Sequence, residues 1–258
     1  ITKYLILSLL LIDIIETNRE TPFAEPVMEA AISSAILKQV SDGDLKETFR
    51  IFKPNRTLAF APRDIRDPNF EKAVGSAISR GFQPVKRLTG GRAAVFHEGT
   101  LGFAWTIPDA NPRFNVEIRF KSISNLVKKA LSGLGFDARI GEVTGEYCSG
   151  KYSVNLNGNI KVMGVGQKLA TRASHIGGVI VVKDSNLTQS ILINIYKDLQ
   201  IDWNPETAGS LDDINKSIKI DDVRDSMIDC LQSTNNVNYR KLSNTTIESA
   251  KVLYEQHK

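Results

Sequence analysis

The stretch from Lys151 to Met163 constrains the fold more than any other part of this 258-residue chain. Apolar side chains at Tyr152, Val154 and Leu156 alternate with polar ones, and this period of two is typical of a strand with one buried face. Asn157-Gly158 follows, a dipeptide that strongly favours a two-residue hairpin turn. The stretch therefore predicts an antiparallel hairpin, and with it a sheet that contains antiparallel pairs.

The predicted hairpin places a lysine in an unusual position. A two-residue loop would pair Val154 with Lys161 and Tyr152 with Met163, so that Lys161 shares the apolar face. Desolvating an ammonium is costly unless a negative group pairs with it. Either the lysine stem extends to the sheet edge, or its charge meets a negative group of a ligand. A longer loop would turn Lys161 outward, so the residues alone leave these alternatives open.

The remaining patterns predict a mixture of helices and strands. Apolar spacings of three and four predict helices at Val27–Val40, Phe70–Ile78, Ile123–Leu134, Leu187–Leu199, Asp221–Leu231 and Thr245–Tyr254. Short apolar runs predict strands at Thr57–Ala61, Ala93–His97, Gly102–Ile107, Asn115–Phe120 and Ile176–Val182. The run Tyr4–Ile15 is too short to span a bilayer, and we expect a buried strand or helix there.

These elements favour an α+β fold, with a mixed or antiparallel sheet flanked by helices. We expect residues 1–183 to form the sheet domain and residues 184–258 to form a C-terminal helical region packed on it. The chain begins at Ile1 without a methionine, so we expect some N-terminal sequence to be missing.

Composition excludes several classes of function. A net charge of +4, with no long basic run, argues against nucleic-acid binding. Two cysteines, Cys148 and Cys230, are too few for a disulfide framework or a cysteine-based zinc site. Reduced thiols favour a cytoplasmic protein. We also expect no membrane partner. Cys230 lies on a predicted helix face and is expected in the core. Three histidines without a carboxylate cluster predict no metal site, and no P-loop occurs.

The segment Arg87-Leu-Thr-Gly90-Gly91-Arg92 indicates a ligand-binding loop. Paired glycines allow positive φ and let the backbone approach a ligand closely. The flanking arginines offer planar donors suited to a carboxylate or phosphate. An apolar run and then His97 follow, and a lone histidine at a strand end is by default a structural hydrogen-bonding residue.

A second cluster surrounds Cys148, in Gly145-Glu-Tyr-Cys148-Ser-Gly-Lys-Tyr152. A lone cysteine is usually a small buried hydrophobic residue. Here it precedes a Ser-Gly turn near the start of a predicted strand, and nearby lysines would favour the nucleophilic thiolate. The residues alone make Cys148 a candidate nucleophile.

Together these segments resemble the lipoate and octanoate attachment family, the lipoate-protein ligase and octanoyltransferase group. Arg87 to His97 is similar to its Arg-x-x-Gly-Gly-x-x-x-Phe-His signature. Gly158-Asn-Ile-Lys161-Val-Met-Gly164-Val-Gly166-Gln167 is similar to its Gly-x-Lys-Lys-x-x-Gly-x-x-Gln segment. Tyr147-Cys148-Ser-Gly resembles the Tyr-Cys-Pro-Gly segment of the octanoyl-[glycine cleavage H protein] N-octanoyltransferase branch, with Ser149 in place of proline. The resemblance extends over roughly residues 20 to 215.

The resemblance implies a class II biotin–lipoate ligase-like fold and a catalytic role for the first domain. It implies that Cys148 carries an acyl group as a thioester and that Lys161 contacts the acyl carbonyl or an acyl-adenylate. The substrate-binding residues so implied are Arg87, Gly90, Gly91, Arg92, His97, Gly164 and Gln167, with no metal. We expect Val95, Phe96, Phe103 and the hairpin face to form an apolar slot for the acyl chain.

Two functions follow as hypotheses from this resemblance. In the first, octanoyl or lipoyl groups move through Cys148 to a lysine of a lipoyl-carrier domain, with no cofactor. The implied partners are the glycine cleavage H protein, E2 lipoyl domains of 2-oxoacid dehydrogenases, or acyl carrier protein. In the second, an ATP- and Mg-dependent lipoate-protein ligase forms a lipoyl-adenylate at the glycine loop and Lys161. A catalytically silent acyl- or carrier-binding protein is a third alternative, which the joint presence of Cys148, Lys161 and the glycine loop disfavours.

Overall fold

The structure, a computed structural model, describes residues 11–17 and 25–258. The strands in this part of the chain are β1 Leu11–Thr17, β2 Thr48–Phe52, β3 Thr57–Phe60, β4 Gln83–Lys86, β5 Ala94–Phe96, β6 Thr100–Pro108, β7 Ala138–Ile140, β8 Val154–Leu156, β9 Ile160–Leu169, β10 Ala173–Val181 and β11 Asn236–Tyr239. The α-helices are α1 Pro26–Asp42, α2 Pro62–Ile65, α3 Phe70–Ser79, α4 Val116–Gly133, α5 Ser185–Asp198, α6 Ile220–Gln232 and α7 Asn244–Leu253.

The strands form one large and one small sheet. The large sheet has the order β11-β1-β2-β6-β10-β9-β8-β7, and the small one has the order β4-β3-β5. In the large sheet, β1 is parallel to both of its neighbours, while the pairs from β2 to β7 are antiparallel. This mixed sheet with flanking helices confirms the predicted α+β class.

Helices cover both faces of the large sheet. On one face, α4 and α6 pack against alternate residues of the central strands, among them Phe49, Leu101 and Ile176. Full burial of each such side chain contributes about 1.5–3 kcal/mol. On the other face, α1 lies over β6 and β10 and packs against α7. The small sheet forms a second core with α3 and α5.

The sheet face beneath α1 contains a trough, because many of its residues are small. Two rows of paired residues cross the strands β9, β10, β6 and β2 there. The first row consists of Gly164, Val179, Gly102 and Phe52, in that order of strands, and the second consists of Gly166, Gly177, Ala104 and Arg50. Neighbouring strands are about 4.8 Å apart, so each row is roughly 14 Å long. Gly164, Gly177 and Ala104 keep the middle of this face low, whereas the Phe52 ring covers Gly102 and Thr89 covers Gly166.

The hairpin between Lys151 and Met163 forms, but the predicted pairing is wrong. Leu156 lies opposite Ile160 and Asn155 lies opposite Lys161, so the loop holds three residues rather than two. A bulge then brings Val154, and not Tyr152, opposite Met163.

The wider turn has a side-chain cause. The Asn155 side chain accepts a hydrogen bond from the Gly158 amide at 3.0 Å and donates one to the Gly141 carbonyl at 3.0 Å. As expected for a longer loop, Lys161 leaves the face of Val154 and Leu156. It is nevertheless only 1 % exposed, because the opposite face is also covered. The Tyr147 ring lies against its ammonium, and Ala208 pairs with its backbone.

Most predicted elements are present, with one wrong assignment. The predicted helices correspond to α1, α3, α4, α5, α6 and α7, and four predicted strands correspond to β3, β5, β6 and β10. Asn115–Phe120, predicted as a strand, is instead the first part of α4. Val116 and Phe120 are four residues apart and so also fit one side of a helix, in which Arg119 is buried and Ile118 is exposed.

The first and last described strands, β1 and β11, lie side by side in the sheet. Of the predicted apolar element Tyr4–Ile15, residues 11–15 belong to β1, while residues 4–10 lie outside the described residues. The C-terminal region contains β11 as well as helices, and this strand pairs with β1. The division at residue 183 remains a prediction. Among the described residues, no helix has the length and apolar character needed to cross a bilayer.

Candidate functional site

The glycine loop and Cys148 lie in direct contact. The Arg92 backbone amide donates to Cys148 Sγ at 3.1 Å, and Arg87 Nη2 lies 4.0 Å from the same sulfur. Gly91 has φ of +107°, and a Cβ at this position would lie 2.9 Å from the sulfur. The loop therefore needs glycine at position 91, both for its backbone conformation and for its approach to the thiol.

Cys148 itself has a backbone conformation that is uncommon for a residue with a side chain. Its φ is +43°, in the left-handed region. It lies in the turn between β7 and β8 rather than at the start of a strand, and its side chain is half-buried. Such conformations cost of order 1–3 kcal/mol and persist only where the surroundings hold them.

Lys161 holds this turn from below. Its Nζ donates to the carbonyls of Tyr147 and Cys148, each at 2.8 Å, and to Glu146 Oε1 at 2.9 Å. An ammonium has three hydrogens, so these contacts use its whole donor capacity. The resemblance implied that Lys161 contacts an acyl group, but in this conformation its donors all serve the Cys148 turn.

Glu146 is the centre of this network. Its carboxylate accepts from Lys161 and Ser153 through Oε1, from the Gly150 amide, and from the Val143 amide through Oε2. Its side chain is fully buried, as is that of Lys161. One buried ion pair therefore fixes both sides of the turn that presents Cys148. No local sequence pattern marks Glu146 as a site residue, although it stands only two residues before the candidate nucleophile.

An apolar cavity opens on one side of Cys148. It lies over the small-residue trough and is closed by α1 and the small sheet, with Ala30, Phe52, Ala59, Phe96 and Val179 among its lining residues. Gly164 and Lys161 border it near Cys148, and His175 borders it elsewhere. Phe96 and Phe103 line this cavity as expected, whereas Val95 belongs to the core beneath the small sheet.

A second cavity lies on the other side of the same cysteine. Gly90, Gly91, Gln167 and Tyr152 are among its lining residues. Cys148 and Val165 border both cavities. The Tyr152 hydroxyl is buried and has no hydrogen-bond partner among the described residues.

The arginines and Gln167 are held by partners that the sequence analysis did not identify. Arg92 Nη1 lies 3.1 Å from Asp64 Oδ1. Burial raises the pKa of Asp64, against the opposing effects of the Ala61 amide and Arg92. Arg87 Nη2 donates to the Gly90 carbonyl at 2.6 Å. The Gln167 side chain accepts from Arg119 Nε at 2.8 Å.

His97 is not among the residues that line either cavity, and its implied substrate-binding role stays a prediction. Its Nε2 is 3.0 Å from the Thr188 hydroxyl, and its Nδ1 accepts from the Gly99 amide at 3.0 Å. The ring thus joins the β5–β6 turn to α5. The histidine at the cavity is His175, whose Nδ1 is 3.0 Å from the Thr106 hydroxyl. Its only sequence signal was the neighbouring pair Gly177-Gly178.

No group of histidine, cysteine and carboxylate side chains within the described ranges is arranged to hold a metal ion. Cys230, the second cysteine, is partly buried against the main core, on α6.

Solved structures of lipoate-protein ligases have the same fold as this chain. A lipoate-protein ligase A bound with ATP aligns with a TM-score of 0.74 at 19% identity, over 97% of this chain and 95% of that one. The bi-partite lipoate protein ligase of Thermoplasma acidophilum, studied with its E2 lipoyl domain, aligns with a TM-score of 0.71 at 17% identity, over 96% and 93% of the two chains. At these identities the likeness concerns the fold.

Sequence comparison identifies the family. The lipoyl-[GcvH]:protein N-lipoyltransferase of Listeria monocytogenes is 22% identical over 213 residues, which are 79% of this chain and 76% of the relative. The octanoyl-[GcvH]:protein N-octanoyltransferase of Geobacillus kaustophilus is 23% identical over 186 residues, 72% of this chain and 65% of the relative. The lipoyl protein ligase A/B catalytic domain model matches residues 25–232. The chain belongs to the lipoyl protein ligase A/B catalytic domain family.

Proposed function

We propose that this enzyme is an acyltransferase that moves an octanoyl or lipoyl group to a lysine of a lipoyl-carrier domain through a thioester on Cys148. The observation that carries the proposal is the position of the Cys148 sulfur between an apolar cavity and a second cavity, beside the Arg92 amide and Arg87. Both groups would stabilise negative charge on sulfur. The names of the N-lipoyltransferase and N-octanoyltransferase relatives support the same reaction class.

In the first step, the Cys148 thiolate attacks the carbonyl carbon of the donor acyl group. The new C–S bond forms, the bond from the carbonyl to the donor's thiol or amine breaks, and that leaving group takes up a proton. The Arg92 amide, which donates to the sulfur before attack, lies close enough to stabilise the oxyanion that develops on the adjoining carbonyl.

In the second step, a neutral lysine amine of the carrier enters through the second cavity and attacks the thioester. A C–N bond forms, the C–S bond breaks, the amine loses a proton to solvent, and the thiolate is restored. The names of the relatives, which describe transfer from lipoyl- or octanoyl-[GcvH] to protein, support the glycine cleavage H protein as a donor, and E2 lipoyl domains, named with a structural neighbour, fit the acceptor role. Acyl carrier protein as a donor stays a prediction.

The trough would hold the acyl chain. Small residues, among them Gly164, Gly177 and Ala104, line the floor of the apolar cavity there. Each buried methylene contributes about 0.8 kcal/mol, so burial alone can discriminate between acyl chains of different length.

Lys161 acts in this proposal as a positioning residue. Its three hydrogen bonds hold the Tyr147 and Cys148 carbonyls and Glu146, so it keeps the nucleophile in its strained turn. This assignment replaces the direct contact with an acyl carbonyl that the resemblance implied.

An ATP-dependent lipoate-protein ligase is the second candidate, supported by the shared fold of the ATP-bound ligase. There the glycine loop would hold an acyl-adenylate, formed with Mg, and Cys148 would have no covalent role. Arg92 is paired with Asp64, and Lys161 is paired with Glu146. Because these two cations already bind protein carboxylates, they are not available to bind the phosphate of an adenylate, which favours the transferase.

Intact-mass analysis after incubation with octanoyl donors, both a thioester and an octanoyl-lysine carrier, without ATP, tests the proposal. We expect a single octanoyl adduct that hydroxylamine removes and that maps to Cys148. The Cys148→Ala variant should form none, whereas Cys230→Ala, which changes the other cysteine, should form it at the wild-type rate. Absence of an adduct with every donor, together with ATP-driven lipoylation by Cys148→Ala, would establish the ligase instead.

A further inference from the structure

Two large apolar side chains protrude into solvent where α4 begins. Phe114 is 84% exposed and Ile118 is 61% exposed. Single exposed apolar residues are normal on protein surfaces. Here, however, an aromatic and a branched aliphatic side chain are both exposed within five consecutive residues, and we call these two side chains the patch.

This patch adjoins the second cavity. Val116 and Phe120, from the same segment, line that cavity, and the Phe120 ring stacks on Tyr152 at 5.0 Å between centroids. The inward side of the start of α4 therefore forms the cavity wall. Its outward side carries Phe114 and Ile118 beside the cavity that leads to Cys148.

Basic side chains surround the patch. The exposed ones on the adjoining segments are Arg113, Lys121, Lys151 and Lys168. Glu117 is the exposed carboxylate among them, and it contacts Lys121 and Lys151. The rim thus carries an excess of positive charge, whereas the centre is apolar. An aromatic anchor within a charged rim is typical of a protein-binding surface.

We propose that Phe114 and Ile118, with this basic rim, are the docking site for an acidic carrier domain whose lysine reaches Cys148 through the second cavity. This inference rests on the proposed function, in which a lysine is the acceptor. The positive rim selects a partner of negative charge and raises the rate of encounter. Phe114 and Ile118 then contribute apolar contact area, and this contribution to affinity is not weakened by salt screening.

The test separates docking from chemistry. The double variant Phe114→Ser/Ile118→Ser should load an octanoyl group onto Cys148 from octanoyl-CoA at the wild-type rate. Its transfer to an apo lipoyl-carrier domain of net negative charge should fall about tenfold to a hundredfold in kcat/KM, as expected for loss of a hot-spot pair. Transfer to a short lysine peptide, which cannot span the patch, should be unchanged.

A control matches the exposure of the removed side chains. Val252 and Ile78 are 81% and 59% exposed on other helices, and Ile78→Ser/Val252→Ser should leave transfer to the carrier at the wild-type rate. Unchanged transfer by the Phe114→Ser/Ile118→Ser variant would overturn the docking site, and so would an equal loss with carrier and peptide. If wild-type protein forms no thioester, the proposed function fails, and binding of the same carrier to the two double variants still decides the docking site.

Discussion

At the scale of single residues, the site depends on how closely backbone approaches a sulfur. The sequence predicted Cys148 and the paired glycines as candidate site residues, because both patterns are local. It did not predict that the Arg92 amide, rather than a lysine, would lie against the thiol. That contact joins residues 56 positions apart, and no local pattern encodes it.

Substitution of the two glycines separates close approach from loop flexibility. Gly91→Ala would place a methyl group 2.9 Å from Cys148 Sγ at a φ of +107°, so the loop must move away from the thiol. We expect its rate of Cys148 acylation to fall by about two orders of magnitude, comparable with loss of an oxyanion donor. Gly90→Ala, with open space around the added carbon, is the matched control and should acylate normally. Equal rates for both variants, measured by intact mass over time, would contradict this role.

At the scale of elements, the turn between β7 and β8 is a small unit built around one carboxylate. Its folding could not be predicted from the hairpin pattern, since the pattern concerns the strands and the turn is fixed by Glu146 and Lys161. The same limit explains the error at Asn115–Phe120. Val116 and Phe120 are four residues apart, a spacing that puts them on one side of either a strand or a helix. The apolar stripe that follows favours a helix, and α4 continues along it to Gly133.

Glu146→Gln tests the turn. The change leaves a buried ammonium without its carboxylate, and breaking such a pair costs about 3–5 kcal/mol. We expect a lower free energy of unfolding in urea and, under native conditions, a slower alkylation of Cys148 by iodoacetamide in a Cys230→Ala background. Glu142→Gln changes an exposed carboxylate of the same turn and should alter neither quantity. An unchanged alkylation rate in Glu146→Gln would mean that the ion pair does not position the nucleophile.

At the scale of the whole molecule, stability should depend on pH through buried histidines. Burial, with a smaller effect of Arg50, lowers the pKa of His175 from 6.5 to about 4. Between these values the unfolded chain binds a proton that the folded protein excludes. Stability from this group is therefore complete above pH 6.5 and is lost as the pH falls towards 4, by about 3 kcal/mol in all. Burial also lowers the pKa of His257, with the same sign.

Urea unfolding of wild-type protein and of His175→Gln, at pH values above 6.5 and near 4, measures this contribution. The wild type should lose more stability between the two conditions than the variant, because glutamine does not titrate. Parallel losses would show that carboxylates alone cause the dependence on pH.

The order of strands is the part of the fold that sequence patterns least constrain. Periodicity predicts that a strand exists, whereas its neighbours depend on contacts between distant segments. The short polar strand β11 has no apolar alternation that would reveal it, yet Asn238 and Arg240 both bind Asp13 of β1. Asp13 is buried, and it interrupts the apolar run in which it stands.

This pairing has a consequence for biosynthesis. Asp13 and Asn238 are 225 residues apart, so the partner of β1 is translated long after β1 itself. Until then, one edge of the sheet presents unpaired amides and carbonyls. The Asp13 carboxylate, which is buried in the folded protein, also lacks its partner Arg240. A nascent chain in this state can bind other extended segments. Translation of β11 removes that hazard, so it completes the sheet at the same time as it neutralises Asp13.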